Sequence, residues 1–210
     1  MLKRYLPVSL IGMALLAVGA VGAIADRDES NPPGADQPQI TAIEPDAKQS
    51  MAVLREKRSA GDALRDDLAG RMDRRASFGL NPDLSRLAIK NATYSVYVIP
   101  AHGHVCATLT DPEGAGIICP PTDDVVKGQV GPATAGLQTG GVAIYGMVPD
   151  GVDSVSVQTG ASESIDVVTE RNAYYTVTPS GTPLRTVRYV GPSGPVEFPI
   201  HDPALTFEGN

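Results

Sequence analysis

His102-Gly103-His104-Val105-Cys106, with Cys119 further along, is the stretch whose residue types most readily suggest chemistry. Alternate residues of a strand share a face, so His102, His104 and Cys106 can converge, with Cys119 as a fourth donor. Two imidazoles and two thiolates make an acceptable tetrahedral zinc set. Against it, Pro100, Gly103 and the His-Gly-His sequence read as a turn tip where histidines are solvated. The tight Cys-x-x-Cys pairs that mark zinc sites are also missing. The second chemistry open to Cys106 and Cys119 is a disulfide, because they are the only two cysteines and fall on consecutive predicted strands around Pro112-Glu113-Gly114. In an oxidising compartment a disulfide is the expected outcome, and it would stabilise the fold by about 3 kcal/mol. The third histidine, His201, reads as a surface residue near the tail.

Other catalytic signatures do not appear. The chain has no Gly-x-Ser-x-Gly elbow, no Gly-x-x-x-x-Gly-Lys-Ser/Thr phosphate loop and no His-Glu-x-x-His helix. A catalytic thiol needs a free cysteine beside a histidine, and the expected disulfide removes both candidates. Asp123-Asp124 reads as a solvated loop. Asp153, Glu163 and Asp166 lack the Asp-x-Asp-x-Asp-Gly spacing of a calcium loop, and Asn91-Ala92-Thr93 matches a glycosylation sequon. No cofactor is implied. Lys+Arg 17 against Asp+Glu 24 gives a net charge of −7, which removes a basic nucleic-acid footprint from consideration.

The elements that must hold these residues begin with an address. Lys3 and Arg4 precede an uncharged run from Leu6 to Ala25, ended by Asp26-Arg27-Asp28-Glu29. A basic head and an apolar stretch read as an export signal, with Ala23-Ile24-Ala25 as a small-x-small cleavage pattern. The run is also just long enough to span a bilayer, so residues 1–25 are either a signal peptide or a membrane anchor. Either way, residue 26 onward faces outward.

Residues 26–43, with Pro32-Pro33, Gly34 and Pro38, read as a disordered spacer. Residues 44–91 read as a charged helical neck, begun by Pro45 and interrupted by Gly61 and Gly70. Leu64, Leu68 and Met72 follow i, i+4, i+8, a narrow stripe suited to docking on the next domain. A weaker alternative is a partner- or membrane-binding helix using Arg71, Arg74 and Arg75.

Residues 92–210 change to a period of two and form the β-rich domain. Nine short strands are predicted: Tyr94–Ile99, His104–Thr110, Ala115–Cys119, Val142–Met147, Ser154–Thr159, Ile165–Thr169, Ala173–Thr178, Leu184–Val190 and Val196–Ile200. Val148-Pro149-Asp150-Gly151-Val152 reads as a hairpin turn, and Gly136 to Gly141 as a loose glycine-rich loop. The expected fold is mainly β, an antiparallel, immunoglobulin-like sandwich.

Phe78-Gly79-Leu80-Asn81-Pro82-Asp83-Leu84, Val96-Tyr97-Val98-Ile99-Pro100 with Val105-Cys106, and Gly146-Met147-Val148-Pro149-Asp150-Gly151-Val152-Asp153-Ser154-Val155 together resemble uncharacterised exported proteins of high-GC Gram-positive bacteria. The 12 Arg against 5 Lys suit such a source. The resemblance covers roughly residues 70–178 and implies no activity, so no functional residue is carried over from it. The second half also resembles immunoglobulin-like and carboxypeptidase-regulatory-like modules, as a fold analogy.

The function expected is an exported, cell-envelope-associated, non-catalytic binding or structural module, with loop Gly128–Gly141 presenting the contact. Its partner would be an envelope protein or polymer, with membrane attachment through the N-terminal helix if that is retained. The alternatives are an exported hydrolase-like enzyme whose site is assembled only by the fold, and a metal-binding protein using His102, His104, Cys106 and Cys119.

Overall fold

The computed structural model describes residues 38–64, 68–69, 78–110, 115–137 and 140–200. The expected signal or anchor (1–25), most of the spacer, Arg71, Met72, Arg74, Arg75, the Pro112-Glu113-Gly114 turn and His201 lie outside these residues. Among the described residues no helix is long and apolar enough to cross a membrane.

The fold is mainly β and its sheets are antiparallel. Among the described residues eleven strands occur: β1 (Arg86–Lys90), β2 (Ser95–Ala101), β3 (His104–Thr110), β4 (Ala115–Ile118), β5 (Ala133–Gly136), β6 (Val142–Met147), β7 (Ser154–Gln158), β8 (Ser164–Val168), β9 (Ala173–Thr178), β10 (Thr186–Gly191) and β11 (Gly194–Pro199). They form three sheets, ordered β1-β2-β3-β4, β5-β6-β9 and β11-β10-β7-β8. All nine predicted strands are present. Two were not expected: β1, inside the predicted neck, and β5, inside the predicted loop.

Side-chain alternation explains how the sheets stack. Along β2, Val96 and Val98 join one core, while Tyr97, Ile99 and Ala101 join another on the opposite face. Along β6, Ala143, Tyr145 and Met147 point to the core shared with the first sheet, and Val142 and Ile144 to the core shared with the third. All six residues of β6 are buried. The β5-β6-β9 sheet is therefore the middle layer, covered on both faces. Tyr174 and Tyr175 serve the two cores from adjacent positions of β9, as period two requires. Gly146 lets this happen, since a Cβ there would lie 2.5 Å from the Tyr174 hydroxyl on the neighbouring strand.

Three expectations are corrected. The described part of 44–91 is not one helical neck: α1 (Pro45–Ser50) and α2 (Ala52–Arg55) are short, a 3-10 turn lies at Ala60–Asp62, Leu68 and Ala69 are helical, a second 3-10 turn lies at Pro82–Leu84, and β1 occupies its end. Ala47, Met51, Val53 and Leu54 are core residues, and of the expected stripe Leu64 and Leu68 are buried while Met72 lies outside the described residues. The last part of the predicted spacer is also fixed, because Ile40 donates to the Gly79 carbonyl at 3.1 Å and Ile43 is buried. The Val148–Val152 turn is not a hairpin. It carries the chain from β6 in the middle sheet to β7 in the third, with Gly151 at φ 84°.

The Gly128–Gly141 loop is likewise structured. Gly128 ends α3 (Thr122–Lys127) in the left-handed conformation, Val130 is buried, and β5 pairs with β6 from Ala133↔Tyr145 to Gly136↔Val142. Small Ala and Gly residues hid this strand, because its sequence lacks the β-branched and aromatic signal.

Leu54 is 1% exposed and sits where α2 enters the core between the first and middle sheets. Leu54→Ala should lower unfolding stability by about 3 kcal/mol in denaturant titration. A loss below about 0.5 kcal/mol, as for an exposed position, would mean that α2 is peripheral.

Candidate functional site

The cysteines occupy the outer face of the first sheet. The ladder from Thr110↔Ala115 to Ala107↔Ile118 sets Cys106 opposite Cys119 one step further on. Val105 donates to the Pro120 carbonyl at 3.2 Å, so the cysteines form a non-hydrogen-bonded pair, where opposing side chains are closest. They are joined by a disulfide with a Cα–Cα distance of 4.0 Å. Leu64, Leu80 and Phe78 cover that face. With both sulfurs bonded to each other, the four-donor arrangement with His102 and His104 has no thiolate. His102 is exposed at the β2–β3 turn, where Gly103 has φ 65°. The Nδ1 of His104 lies 2.8 Å from the His102 carbonyl, and its ring meets Phe78 edge-on at 5.0 Å. Among the described residues no group of three His, Cys, Asp or Glu is arranged to hold an ion, Asp153, Glu163 and Asp166 included.

Two polar clusters hold the N-terminal segment to the sheets. In one, Asp150 accepts from the Ala52 amide at 2.7 Å and from the Arg55 guanidinium at 2.6 Å. Asn172 accepts from the Val53 amide at 2.9 Å and donates to Asp150 at 2.9 Å. These bonds satisfy free N–H groups at the start of α2. In the other, Asp62 accepts from the Ser59 amide (2.6 Å), the Ser59 hydroxyl (2.8 Å) and the Leu87 amide (2.8 Å). Arg171 donates to Glu56 at 2.5 Å and also to the Leu87 carbonyl. Arg171 and Asn172 have φ values of 45° and 66°, a conformation in which non-glycine residues are uncommon. Burial pushes the Asp62 carboxyl up, but the Ser59 and Leu87 bonds and the nearby Arg171 outweigh it and hold the pKa below 3.8. Burial likewise raises Asp150, and Asn172, Arg55 and the Ala52 amide bring it below 3.8. Both carboxylates make bonds that tie residues 52–62 to the strands and turns around them, so these clusters act as fasteners.

Concave surfaces lie elsewhere on the described residues, among them one lined by Asp124, Gln129, Val196, Glu197 and Phe198. A cleft of about 310 Å³ lies between α1, α3 and two turns, with Asp46, Gln49, Val126, Pro149, Asp150 and Pro192 in its lining. A shallower depression of about 500 Å³ lies on the outer face of the third sheet. There the register aligns Glu197, Arg188, Ser156 and Asp166 in one row across β11, β10, β7 and β8. Arg188 and Glu197 pair at 2.9 Å. One step along, Val190 lies opposite Pro195, and Val168 opposite Ser154. Val168 and Val190 are 72% and 69% exposed, the most exposed large hydrophobic side chains among the described residues. No described layer covers this face. Sequence alone does not show that Val168 and Val190, on strands separated by β7, share this face.

Tyr189, on the covered side of the same sheet, is buried, and its hydroxyl donates to the Gly128 carbonyl at 2.9 Å. Burial pushes its pKa up to about 12, against the bond to Val130. It fastens β10 to the segment between α3 and β5.

Two outcomes follow. Replacing both Cys106 and Cys119 with Ser should cost about 3 kcal/mol in denaturant titration without abolishing the β signature in circular dichroism. An unchanged midpoint would mean that packing alone holds β3 to β4. The Asp62 and Asp150 contributions are complete at neutral pH and are lost as pH falls through their folded-state values below 3.8. Asp62→Asn should therefore be less stable than the parent at neutral pH and lose less on acidification. Parallel pH curves for the two proteins would remove Asp62 as the acid-sensitive fastener. Compared with known proteins, the chain matches no family model, no curated protein and no solved structure.

Proposed function

We propose that this chain is an exported, cell-envelope-associated binding or structural module without catalysis, presenting the outer face of β7, β8, β10 and β11 to a protein partner. The observation that carries the reading is that uncovered face, with Val168 and Val190 exposed beside the Glu197–Arg188–Ser156–Asp166 row. Val190 lies beside Pro195, Val168 lies across from Ser154 on the same face, and exposed apolar side chains grouped on one uncovered, polar-rimmed face suit an interaction site. No described aromatic side chain lies in the depression except Tyr189, which packs inward. A protein surface is therefore a better complement than a stacked sugar polymer.

The immunoglobulin-like reading is supported by strand order in the second half. Lettered in chain order, β5, β6 and β9 stand as A-B-E, and β11, β10, β7 and β8 as G-F-C-C′. The fourth strand pairs with the third instead of joining the first sheet. Such sandwiches commonly recognise partners while hosting no chemistry, although fold alone does not decide this. Export is supported by the basic head and apolar run of residues 1–25, and by a disulfide that suits an oxidising compartment. If that run is retained, the membrane itself is the attachment point.

A photo-crosslinking side chain placed at Val190, at Val168 or at Lys90 on the first sheet tests the reading in the native host. A discrete adduct with an envelope protein is expected from Val190 and Val168 and not from Lys90. No adduct from either valine position, or the same adduct from Lys90, would remove the face as the contact. Fractionating the same cells reads the address. Recovery from the cytosol with Cys106 and Cys119 open to alkylation would end the export reading.

A further inference from the structure

The two edges of the exposed sheet differ in what they offer a neighbouring strand. In an antiparallel pair, residues alternate between those that exchange hydrogen bonds and those that do not. Thr159 donates to the Glu163 carbonyl at 2.9 Å and Thr169 to the Asp153 carbonyl at 3.0 Å. With Val157 opposite Ile165 and Val155 opposite Val167, those β8 residues turn their backbone groups toward β7. The N–H and C=O groups of Ser164, Asp166 and Val168 consequently point away from the sheet. At the opposite edge, Ile200 donates to the Arg185 carbonyl at 2.8 Å. Continuing that alternation along the β10–β11 register turns Pro195, Glu197 and Pro199 outward. Two of these three positions are proline, which has no N–H, so the β11 edge is blunted in the way natural sheets avoid edge pairing.

The β8 edge has no proline, and no described strand pairs with its outer side. Its side chains specify a complement. Val168 is 72% exposed on the outer face, and Ile165 is 38% exposed although it points toward the core side, because no described strand lies beyond β8 to cover it. Asp166, between them, is exposed. A second copy of this chain is a poor occupant, since antiparallel pairing of β8 with itself in full register sets Asp166 against Asp166. Like charges directly opposite are destabilising.

We propose that β8 accepts an added antiparallel strand from a protein partner whose extended segment sets a Lys or Arg opposite Asp166 and apolar residues opposite Val168 and Ile165. The main-chain bonds to Ser164, Asp166 and Val168 supply attachment, and the alternating side chains supply selectivity. The inference rests on the third sheet being the binding surface, but it assigns the edge rather than the face. An adduct at Val190 with a silent β8 would leave the face standing and remove the edge.

The test uses the isotopically labelled full chain and end-blocked peptides containing Val-Thr-Lys-Val-Thr, or the same sequence with Glu for Lys. The Lys peptide should shift the amide resonances of Ser164, Asp166 and Val168 and slow their hydrogen exchange, leaving β11 unchanged. It should bind about fivefold tighter than the Glu peptide. Asp166→Lys, at an exposed position, should reverse that preference. N-methylating the peptide at the Val, Lys and final Thr positions, which face β8, should abolish binding of the Lys peptide. Equal binding of both peptides, equal response at β11, persistence after N-methylation or no response at the β8 amides would each overturn the proposal.

Discussion

The structure depends on a middle sheet that is apolar on both faces. Every residue of β6 is buried, and its odd and even positions feed two separate cores. A sheet of this kind cannot stand against water on either side, so it requires a layer above and a layer below. The β1-β2-β3-β4 sheet and the N-terminal segment supply one, and the β11-β10-β7-β8 sheet supplies the other. The first sheet then has an outer face of its own, holding Tyr97, Ile99 and the disulfide, which Leu64, Leu80 and Phe78 cover. Layering of this kind lets a chain with only 5% aromatic residues bury enough surface, because Val and Ala in contact on many faces replace a few large rings.

Covering the middle sheet with an irregular segment creates a second problem, which the charged residues solve. Residues 43–62 bring backbone N–H groups into contact with the core without a strand partner, and buried donors must be paired. Asp150 and Asn172 take those of Ala52 and Val53, while Asp62 takes that of Ser59 within the segment and reaches across to the Leu87 amide of β1. Glu44 does the same at the other end, accepting from the Gly103 amide at 2.8 Å. The charge that looked in sequence like a solvated helix face is thus partly committed to fixing an apolar strap. This is also why the left-handed corner at Arg171 and Asn172 is tolerated. Both side chains turn back to the strap from there, and their bonds offset the backbone cost.

The nine strands were legible because Val, Ile, Tyr and Thr alternate with polar residues between turn signals, and β3, β6 and β9 were read to the residue. The disulfide was legible for a related reason, since two cysteines on neighbouring strands in register need no further information. What was not legible is long-range in origin. The strand β5 is made of Ala, Thr, Ala and Gly, and is a strand only because β6 lies beside it. Glycines and charges in 44–91 conceal core residues whose burial depends on sheets encoded much later. The Pro149-Asp150-Gly151 turn has the chemistry of a hairpin, yet local sequence does not say whether the next strand stays in the sheet or changes layer. The uncovered face depends on Val168 and Val190 being brought to the same side of one sheet by β7, which pairs with both of their strands.

The two edges of that third sheet show how the same local devices serve opposite ends. On β11 the prolines occupy the positions whose N–H groups would face outward, while Val196 and Phe198 between them keep their bonds to β10 and their place in the core. Proline shifted by one residue would have broken the ladder instead of protecting it. On β8 the corresponding outward positions are Ser164, Asp166 and Val168, which keep every donor and add a single charge. A charge at the centre of an otherwise apolar edge disfavours identical copies and random collapse, but leaves the edge open to a strand of opposite sign. The asymmetry therefore lies in which outward N–H groups were deleted, and it gives the sheet one closed side and one selective side.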